Sequence, residues 1–513
     1  MAHTGTQKRK TPRKSAVAKA ALRKSAAGGN VAQSHKSASK ADLAEALANR
    51  PKVDFLDPFM RHAGMQAKGI GLCAFLVTLA AFQRGLKVTF HYERASFDPR
   101  FAKAKMQGHR GELFSISNGT RTHVFSRTLG DLTDPAANAI AEDKHLTKAA
   151  LKRAGVRTPE GIVVDKAQTA LIEKFLAQNL DKRFVVKPHD GSMGRDVHAN
   201  LLSSQVLDAV KTIDDGRIVL EEHIEGVEHR AFVVGNRFVS SFIKMPANVV
   251  GDGTRTIRQL IQSKNADRLN NPRLASNLIK EMDPVSEHLA KSGRSLETVP
   301  TSGERVILLA TSSVSRGGDP LDSKDSDIGD LSTVTVAGCE AIGLCVSGLD
   351  VILRTHNGQT EAYIIELNQR PHIGAQSFPM EGPGQGNAVA EAIMDYYFPE
   401  TIHDRTRANI AYDFAPIRAA LDSAQISDLS LPVIGPDWKV LRFTETGIAA
   451  KAMAQLIETA ARTAGVFTMS APHDKGGVAL CLAYAPANFR NMLSVIPAQF
   501  RRRLEQLDAE VKG

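Results

Sequence analysis

The spacing of apolar positions divides the chain into segments with different periods. Residues 69–82 (GIGLCAFLVTLAAF) form an apolar run of 14 residues, short of the ~20 needed to cross a bilayer, so a buried helix is predicted. LKVTFH (86–91) then alternates as a strand, and ELFSIS (112–117) and THVFSR (122–127) flank the turn pair Asn118-Gly119, which predicts two further strands. DKHLTKAALKRAGVRTPEG (143–161) predicts a helix ended by Gly155, with Pro159 blocking continuation. From 184 to 400 strands and helices alternate: strands at 184–187, 218–224, 230–235, 237–245, 306–311, 349–353 and 362–368, helices at 203–213 and 331–342. Beyond 400 the order β-α-β-β-α predicts a small ferredoxin-like α+β module.

Residues 1–45 have no such period. They are rich in Lys, Arg, Ala and Ser and contain no aromatic residue, so they cannot bury enough apolar surface to offset the entropy of ordering. The predicted organisation is a disordered basic tail (1–45), a small N-terminal α/β domain (46–140), a central domain (141–402) and a C-terminal α+β module (403–513). Charge follows the same division. Residues 1–50 hold eleven Lys and Arg against Asp42 and Glu45, which accounts for nearly all of the chain's net +10 and leaves an almost neutral body. The tail reads as a solvated arm, a polyanion- or nucleic-acid-binding arm, or an organelle transit peptide. Aromatics are only 5% of the chain, which argues against a surface built to stack on bases. Four cysteines without a CxxC pair point to a reducing, cytoplasmic compartment, and no membrane partner is expected.

Three segments carry candidate chemistry. In YIIELNQRP the strand period puts Glu366 and Asn368 on one face and Leu367 on the other. A carboxylate and an amide oxygen side by side are hard ligands suited to Mg2+, and Asp350 adds a third oxygen if its strand pairs with theirs. By itself the pair equally fits a half-exposed polar face. FVVKP sets Lys187 at the mouth of HDGSMGRDV, where Gly191 and Gly194 allow backbone N–H groups to approach an anion; an ordinary strand-to-helix turn fits the same residues. In IVLEEHIEGVEHR, Glu221, Glu222 and Ile224 can present backbone groups to an adenine edge, Glu228 can reach a ribose diol, and Arg230 projects toward phosphate or an acidic substrate.

Taken in order, these segments resemble the ATP-grasp ligases. The resemblance begins at DKxxTKxxLxxAGVxTPxG (Asp143, Lys144, Lys148, Gly155, Pro159) and runs through VVKP, the glycine-rich loop, the glutamate-rich strand and Asp350 to ELNxRP. Residues 246–265 (PANVVGDGTRTIRQLIQSKN), 299–322 and 348–371 are similar to the ATP-grasp domain of cyanophycin synthetase and of the fused bacterial glutathione synthetases. The fold implied is of mixed α/β and α+β type, an ATP-grasp fold in which two α+β subdomains clamp ATP. The activity implied is ATP-dependent ligation of a small-molecule carboxylate to an amine, on an amino acid or small peptide, through an acylphosphate. Carried over residue by residue, Lys144 and Lys187 would hold the α- and β-phosphates of ATP, Lys148 would belong to the same ATP-binding set, and Gly191, Ser192, Met193 and Gly194 would close over the γ-phosphate. Asp350, Glu366 and Asn368 would hold two Mg2+ ions, or Mn2+ in their place, and Arg370, Arg230 and Arg316 would be catalytic. A homo-oligomer is expected by the same resemblance.

The chain departs from that pattern at one place. Where the relatives read LRATANLSTGG, this chain reads LLATSSVSRGG, so Leu309 replaces the family's strand arginine and Ser313 its asparagine. Arg316, three residues on, is the candidate substitute. The alternative reading is a degenerate ATP-binding regulatory or scaffold protein of the same fold.

Overall fold

The structure is a computed structural model that describes residues 57–92, 99–100, 110–189, 196–280, 282–323, 328–401, 410–447, 449–473 and 476–510. The tail predicted to be disordered lies outside them. Helix α1 (Pro58–Gln66) starts at Asp57, whose Oδ1 accepts the Phe59 N–H at 2.9 Å, with Pro58 in the first turn where no donor is needed. The apolar run becomes α2 (Leu72–Gln83), and every one of its residues is buried. It lies beneath a sheet of β1 (Lys87–His91), β2 (Leu113–Ser117), β3 (Thr122–Ser126) and β4 (Leu129–Gly130), antiparallel throughout. The predicted turn between β2 and β3 is closed by Asn118, whose Oδ1 accepts the Thr120 and Arg121 N–H groups at 3.0 and 2.8 Å.

The boundary expected near 403 is corrected. The short strand β16 (Asp428–Ser430) adds to the free edge of β1, with Thr89 opposite Ser430, so the N-terminal sheet has the order β16-β1-β2-β3-β4. Helix α12 (Phe414–Asp422) buries Phe414, Ile417 and Leu421 in the same core. The cause is aromatic packing: Tyr412 meets Phe75 edge-on at 5.4 Å and Phe414 meets Phe90 at 5.7 Å. At the end of α2 the buried Arg84 pairs with Glu391 and, at 2.8 Å, with Asp395. Both acids belong to α11 (Ala388–Tyr397), so this ion cluster clamps the N-terminal unit to the centre of the chain.

The central region opens with α3 (Pro135–Ala141) and α4 (Lys144–Arg153), the latter capped by Asp143, which accepts the His145 and Leu146 N–H groups at 2.8 and 3.1 Å. Gly155 takes φ +69 just past its end, as its position predicts. Two antiparallel sheets follow. The first has the order β5-β8-β6-β7, from β5 (Gly161–Asp165), β6 (Phe184–Pro188), β7 (His198–Leu201) and β8 (Arg217–Glu222), and is covered by α5 (Thr169–Ala177) and α6 (Ser203–Thr212). The second has the order β13-β10-β9-β14-β15, from β9 (Val227–Val234), β10 (Arg237–Met245), β13 (Asp319–Asp322), β14 (Val346–His356) and β15 (Gln359–Asn368). One of its faces packs on α4 and α9 (Leu331–Ile342) through Val233, Leu349, Ile364 and Leu367.

Between β10 and β13 an insertion carries the ribbon β11 (Asn248–Val250) and β12 (Arg305–Ile307) with α7 (Ile257–Leu269) and α8 (Met282–Ala290). The GDGTRTI motif is its scaffold. Asp252 accepts the Thr254 and Arg255 N–H groups, Thr256 and Gln259 form a capping box at the start of α7, and a Cβ on Gly251 would sit 2.2 Å from the Thr301 carbonyl. Lys264 and Arg268 of α7 both pair with Asp319, and Arg268 and Asp319 are fully buried. The strand predicted at 306–311 is shorter, and Leu309 is buried in the insertion's own core. The short helix α10 (Gly374–Ser377) precedes α11.

The C-terminal module follows the predicted order, with β17 (Lys439–Glu445), α13 (Ala450–Ala464), β18 (Phe467–Pro472), β19 (Val478–Tyr484), α14 (Pro486–Val495) and α15 (Ala498–Glu510). Its sheet, β17-β19-β18, sets the third strand between the first two, the split βαβ of a ferredoxin-like unit. One face packs on α13 and α14, the other on the N-terminal core through Met469, Cys481 and Ala483. All four cysteines are buried and unpaired, and among the described residues no helix is long and apolar enough to cross a membrane. Phe75 is fully buried and meets Tyr412 and Phe414, which join the C-terminal segment to the N-terminal core, so Phe75→Ala is expected to destabilise the fold by about 3–5 kcal/mol. Equilibrium urea unfolding measures this, and an unchanged midpoint would contradict the packing described.

Candidate active site

The cleft between the two central sheets takes its shape from one carboxylate. Glu221, on β8, is buried, and its Oε1 lies 2.5 Å from Nζ of Lys187 on β6 while its Oε2 lies 2.6 Å from Nζ of Lys148 on α4. Lys148 also donates to the Pro159 carbonyl at 2.9 Å. Gly161 of β5 stands directly opposite Glu221, and a Cβ there would lie 2.6 Å from the Glu221 Cβ, so the close approach requires glycine. Burial would raise the Glu221 carboxyl, but two cations outweigh it and hold the group down at about 2. For Lys148 the balance reverses: burial dominates, one carboxylate is shared, and Lys187 repels, so its ammonium is shifted down.

Lys144, Lys148, Lys187, His189, Glu366 and Asn368 line the cleft together. Across the second sheet Arg230, Asp350 and Glu366 occupy neighbouring register positions on β9, β14 and β15, so their side chains share one face. Leu367 points the other way into the core, as the strand period predicts. The Asp350 carboxylate is held by Arg230 at 3.0 Å and by Lys244 at 3.1 Å. Burial would raise it, and these two cations bring it below the usual carboxylate range. Lys244 also pairs with Glu228, which accepts the Ser312 hydroxyl as well.

The predicted residues therefore separate by position. Lys144, Lys148, Lys187, Glu366 and Asn368 line the cleft, and Glu221 is buried against two of those lysines. Glu222 is the last residue of β8, pairing with Lys182 at 2.7 Å and accepting the Glu160 N–H at 3.1 Å, and Ile224 is buried beyond it. Arg370 donates to Ser126 of the N-terminal sheet at 3.2 Å. Arg316 occupies a single 3-10 turn (Val314–Arg316) ended by Gly317 at φ +93, and it is not among the residues lining the cleft. Gly191, Ser192, Met193 and Gly194 lie outside the described residues. Two residues escape sequence reasoning. Lys244 lies one residue before the end of β10, a strand of mixed polar and apolar residues, and carries no motif of its own. His189, buried and 3.8 Å from Asp143, precedes the glycine-rich loop without a motif of its own.

Among the described residues no group of three or more His, Cys, Asp and Glu is placed to hold a metal ion. Glu366 and Asn368 nonetheless offer adjacent hard oxygens beside three lysines, which suits Mg2+, an ion that takes one or two protein carboxylates and completes its shell with phosphate and water. The described donor set fits that ion.

Glu221→Gln removes one charge from a buried triad and is expected to cost about 3 kcal/mol at pH 7. The Glu221 group falls from 4.5 to about 2 on folding, so its contribution is complete above pH 4.5 and is lost as pH falls toward 2. Urea unfolding at pH 7 and pH 3 should therefore show the difference between wild type and Glu221→Gln shrinking at the lower pH. A difference that stays constant or grows would contradict the pairing.

Residues 141–373 match the family model of the ATP-grasp domain. The glutathione biosynthesis bifunctional protein GshAB of Clostridium perfringens is 29% identical over 299 residues, covering 56% of this chain and 38% of that protein. Its counterpart in Streptococcus agalactiae is 31% identical over 307 residues, covering 57% and 39%. A crystal structure of a bifunctional glutathione synthetase from Pasteurella multocida has a TM-score of 0.45 and 22% identity, over 56% of this chain and 40% of that one. The chain spans well under half the length of the curated relatives it matches. With three cleft lysines and the Glu366–Asn368 pair inside the matched segment, residues 141–373 of the chain are an ATP-grasp domain.

Proposed function

We propose that the chain is an ATP-dependent carboxylate-amine ligase acting on an amino acid or small peptide. The observation that carries this reading is the convergence of Lys144, Lys148 and Lys187 with Glu366 and Asn368 on one cleft between two sheets. The chemical difficulty of such a reaction is charge, because a carboxylate must approach a polyanionic phosphate. Three lysines answer it for the phosphate chain, and Glu221 fixes the position of two of them before any substrate arrives. Arg230 and Arg370 stand beside the metal-ligand face and would neutralise the transferring phosphoryl group. In this scheme a substrate carboxylate oxygen bonds to the γ-phosphorus as the bond to ADP breaks. The amine then attacks the acyl carbon, phosphate leaves and the amine gives up a proton. Mg2+ held by Glu366 and Asn368 would add charge neutralisation at the phosphates. Asp350 would join them only by releasing Arg230 or Lys244, and its present pairing supports a role in positioning those cations.

A scaffold role has one observation in its favour: Leu309, at the position of the family's arginine, is integrated into the insertion's core. The two readings differ in turnover. In a coupled ADP-release assay over amino acids and dipeptides, the ligase reading expects substrate-dependent ADP release. It also expects Lys187→Ala and Glu366→Ala each to lower turnover at least ~100-fold, as lost electrostatic contacts do. Wild-type rates in both variants would overturn these assignments, and bound nucleotide without substrate-dependent turnover would favour the scaffold.

A further inference from the structure

A second cluster of cations stands beside the cleft, and part of it comes from outside the ATP-grasp domain. The β3–β4 turn of the N-terminal sheet docks on the segment after β15: Thr128 donates to the Pro371 carbonyl at 3.0 Å and Arg370 donates to Ser126 at 3.2 Å. Arg127, at the tip of that turn, holds φ +57, a conformation that non-glycine residues seldom adopt, and its N–H is tied to the Glu112 carbonyl at 2.9 Å. Its Nη1 lies 3.3 Å from Nε2 of His372, whose Nδ1 lies 3.7 Å from Sγ of Cys73. Arg273, from the insertion, reaches the same place: its Cδ would lie 3.5 Å from a Cβ on Gly374, a glycine that also faces Leu72 beside Cys73.

The charges in this cluster are unevenly matched. Glu112 stands 3.6 Å from Arg127, and Asp350 is shared by Arg230 and Lys244. Arg273 has no acidic partner among the described residues, and its Nε is sealed from water without a hydrogen bond. Burial shifts the Arg273 guanidinium down, although Cys73 opposes the shift. His372 is held down to about 3 by removal from water and then by Arg273, Arg127, Arg230 and Arg370. His372 is nonetheless exposed to solvent as a residue, so a ligand can reach it. A half-buried guanidinium without a counterion, beside an open imidazole and three more arginines, is an environment that an anion would complete.

We propose that Arg127, Arg273 and His372 form an anion subsite that takes a second, non-reacting carboxylate of the substrate, next to the Arg230 and Arg370 that face the reacting one. The substrate would then carry at least two carboxylates, and the N-terminal unit would take part in choosing it. This rests on the ligase reading for its meaning, but the subsite is tested without turnover. Calorimetric titration of the full chain, saturated with ADP and Mg2+, with the dicarboxylates from malonate to adipate should find one that binds at least tenfold more tightly than the monocarboxylate of equal length. Arg273→Gln and Arg127→Gln should each weaken that binding at least tenfold and leave ADP affinity within twofold, and Arg273→Lys should retain most of it. Lys187→Ala should do the reverse, weakening ADP and sparing the dicarboxylate in a nucleotide-free titration. If no dicarboxylate exceeds its monocarboxylate, or if neither arginine variant changes the affinity, the subsite is refuted whatever the outcome for ADP release.

Discussion

The buried carboxylate of Glu221 is the constraint on which the site depends. Two ammonium groups from different elements, one on a helix and one on a strand, would repel each other at the separation the cleft imposes, and each loses hydration there. Glu221 makes the arrangement tenable by facing both, with one oxygen for each lysine. Its own burial is tolerable only because the two cations are present. The triad is therefore mutually dependent: it ties α4 to the β5-β8-β6-β7 sheet and at the same time presents two positive charges at the cleft that Glu366 and Asn368 line from the other sheet. Gly161 completes the device, since any side chain there would displace Glu221.

A second row of charge runs across the other sheet, where Lys244, Glu228, Arg230 and Asp350 neutralise one another in pairs. The pleat explains why they meet. Alternate residues of β9, β14 and β15 face one side, and the antiparallel register sets Arg230, Asp350 and Glu366 side by side. Gly348 leaves the room that Arg230 needs, since a Cβ there would crowd Pro371 and come within 3.5 Å of the Arg230 Cδ. The N-terminal sheet closes this side by docking its β3–β4 turn against the loop that carries Arg370, which joins a unit outside the matched family region to the chemistry inside it.

Much of this was legible in the sequence because it is local. The alternation around Glu366 and Asn368 predicted their shared face, and the apolar run before residue 83 predicted a helix with no solvent side. Asp143, Gly155 and Pro159 bracketed α4 by cap and stop signals that operate over a few residues. What was not legible is long-range. Strand β16 is three residues long and pairs with a strand more than 300 positions earlier, so no periodicity could place it, and the boundary drawn near 403 fell on the wrong side of it. The side-chain role of Glu221 was likewise hidden, because its strand reads as an acidic edge until Lys148 and Lys187 are brought to it. Lys244, Arg127 and Arg273 carry no motif and become informative only through what surrounds them.

The central claim is that the cleft activates a carboxylate by passing phosphate to it. The most direct measurement uses a mixture of amino acids and dipeptides labelled with oxygen-18 in their carboxylates, incubated with the full chain, ATP and Mg2+, with mass analysis of the released phosphate. The account predicts that one labelled oxygen passes from the carboxylate to phosphate at each turnover. Phosphate that forms at the same rate without the label would mean that water attacks the nucleotide, and it would contradict the account.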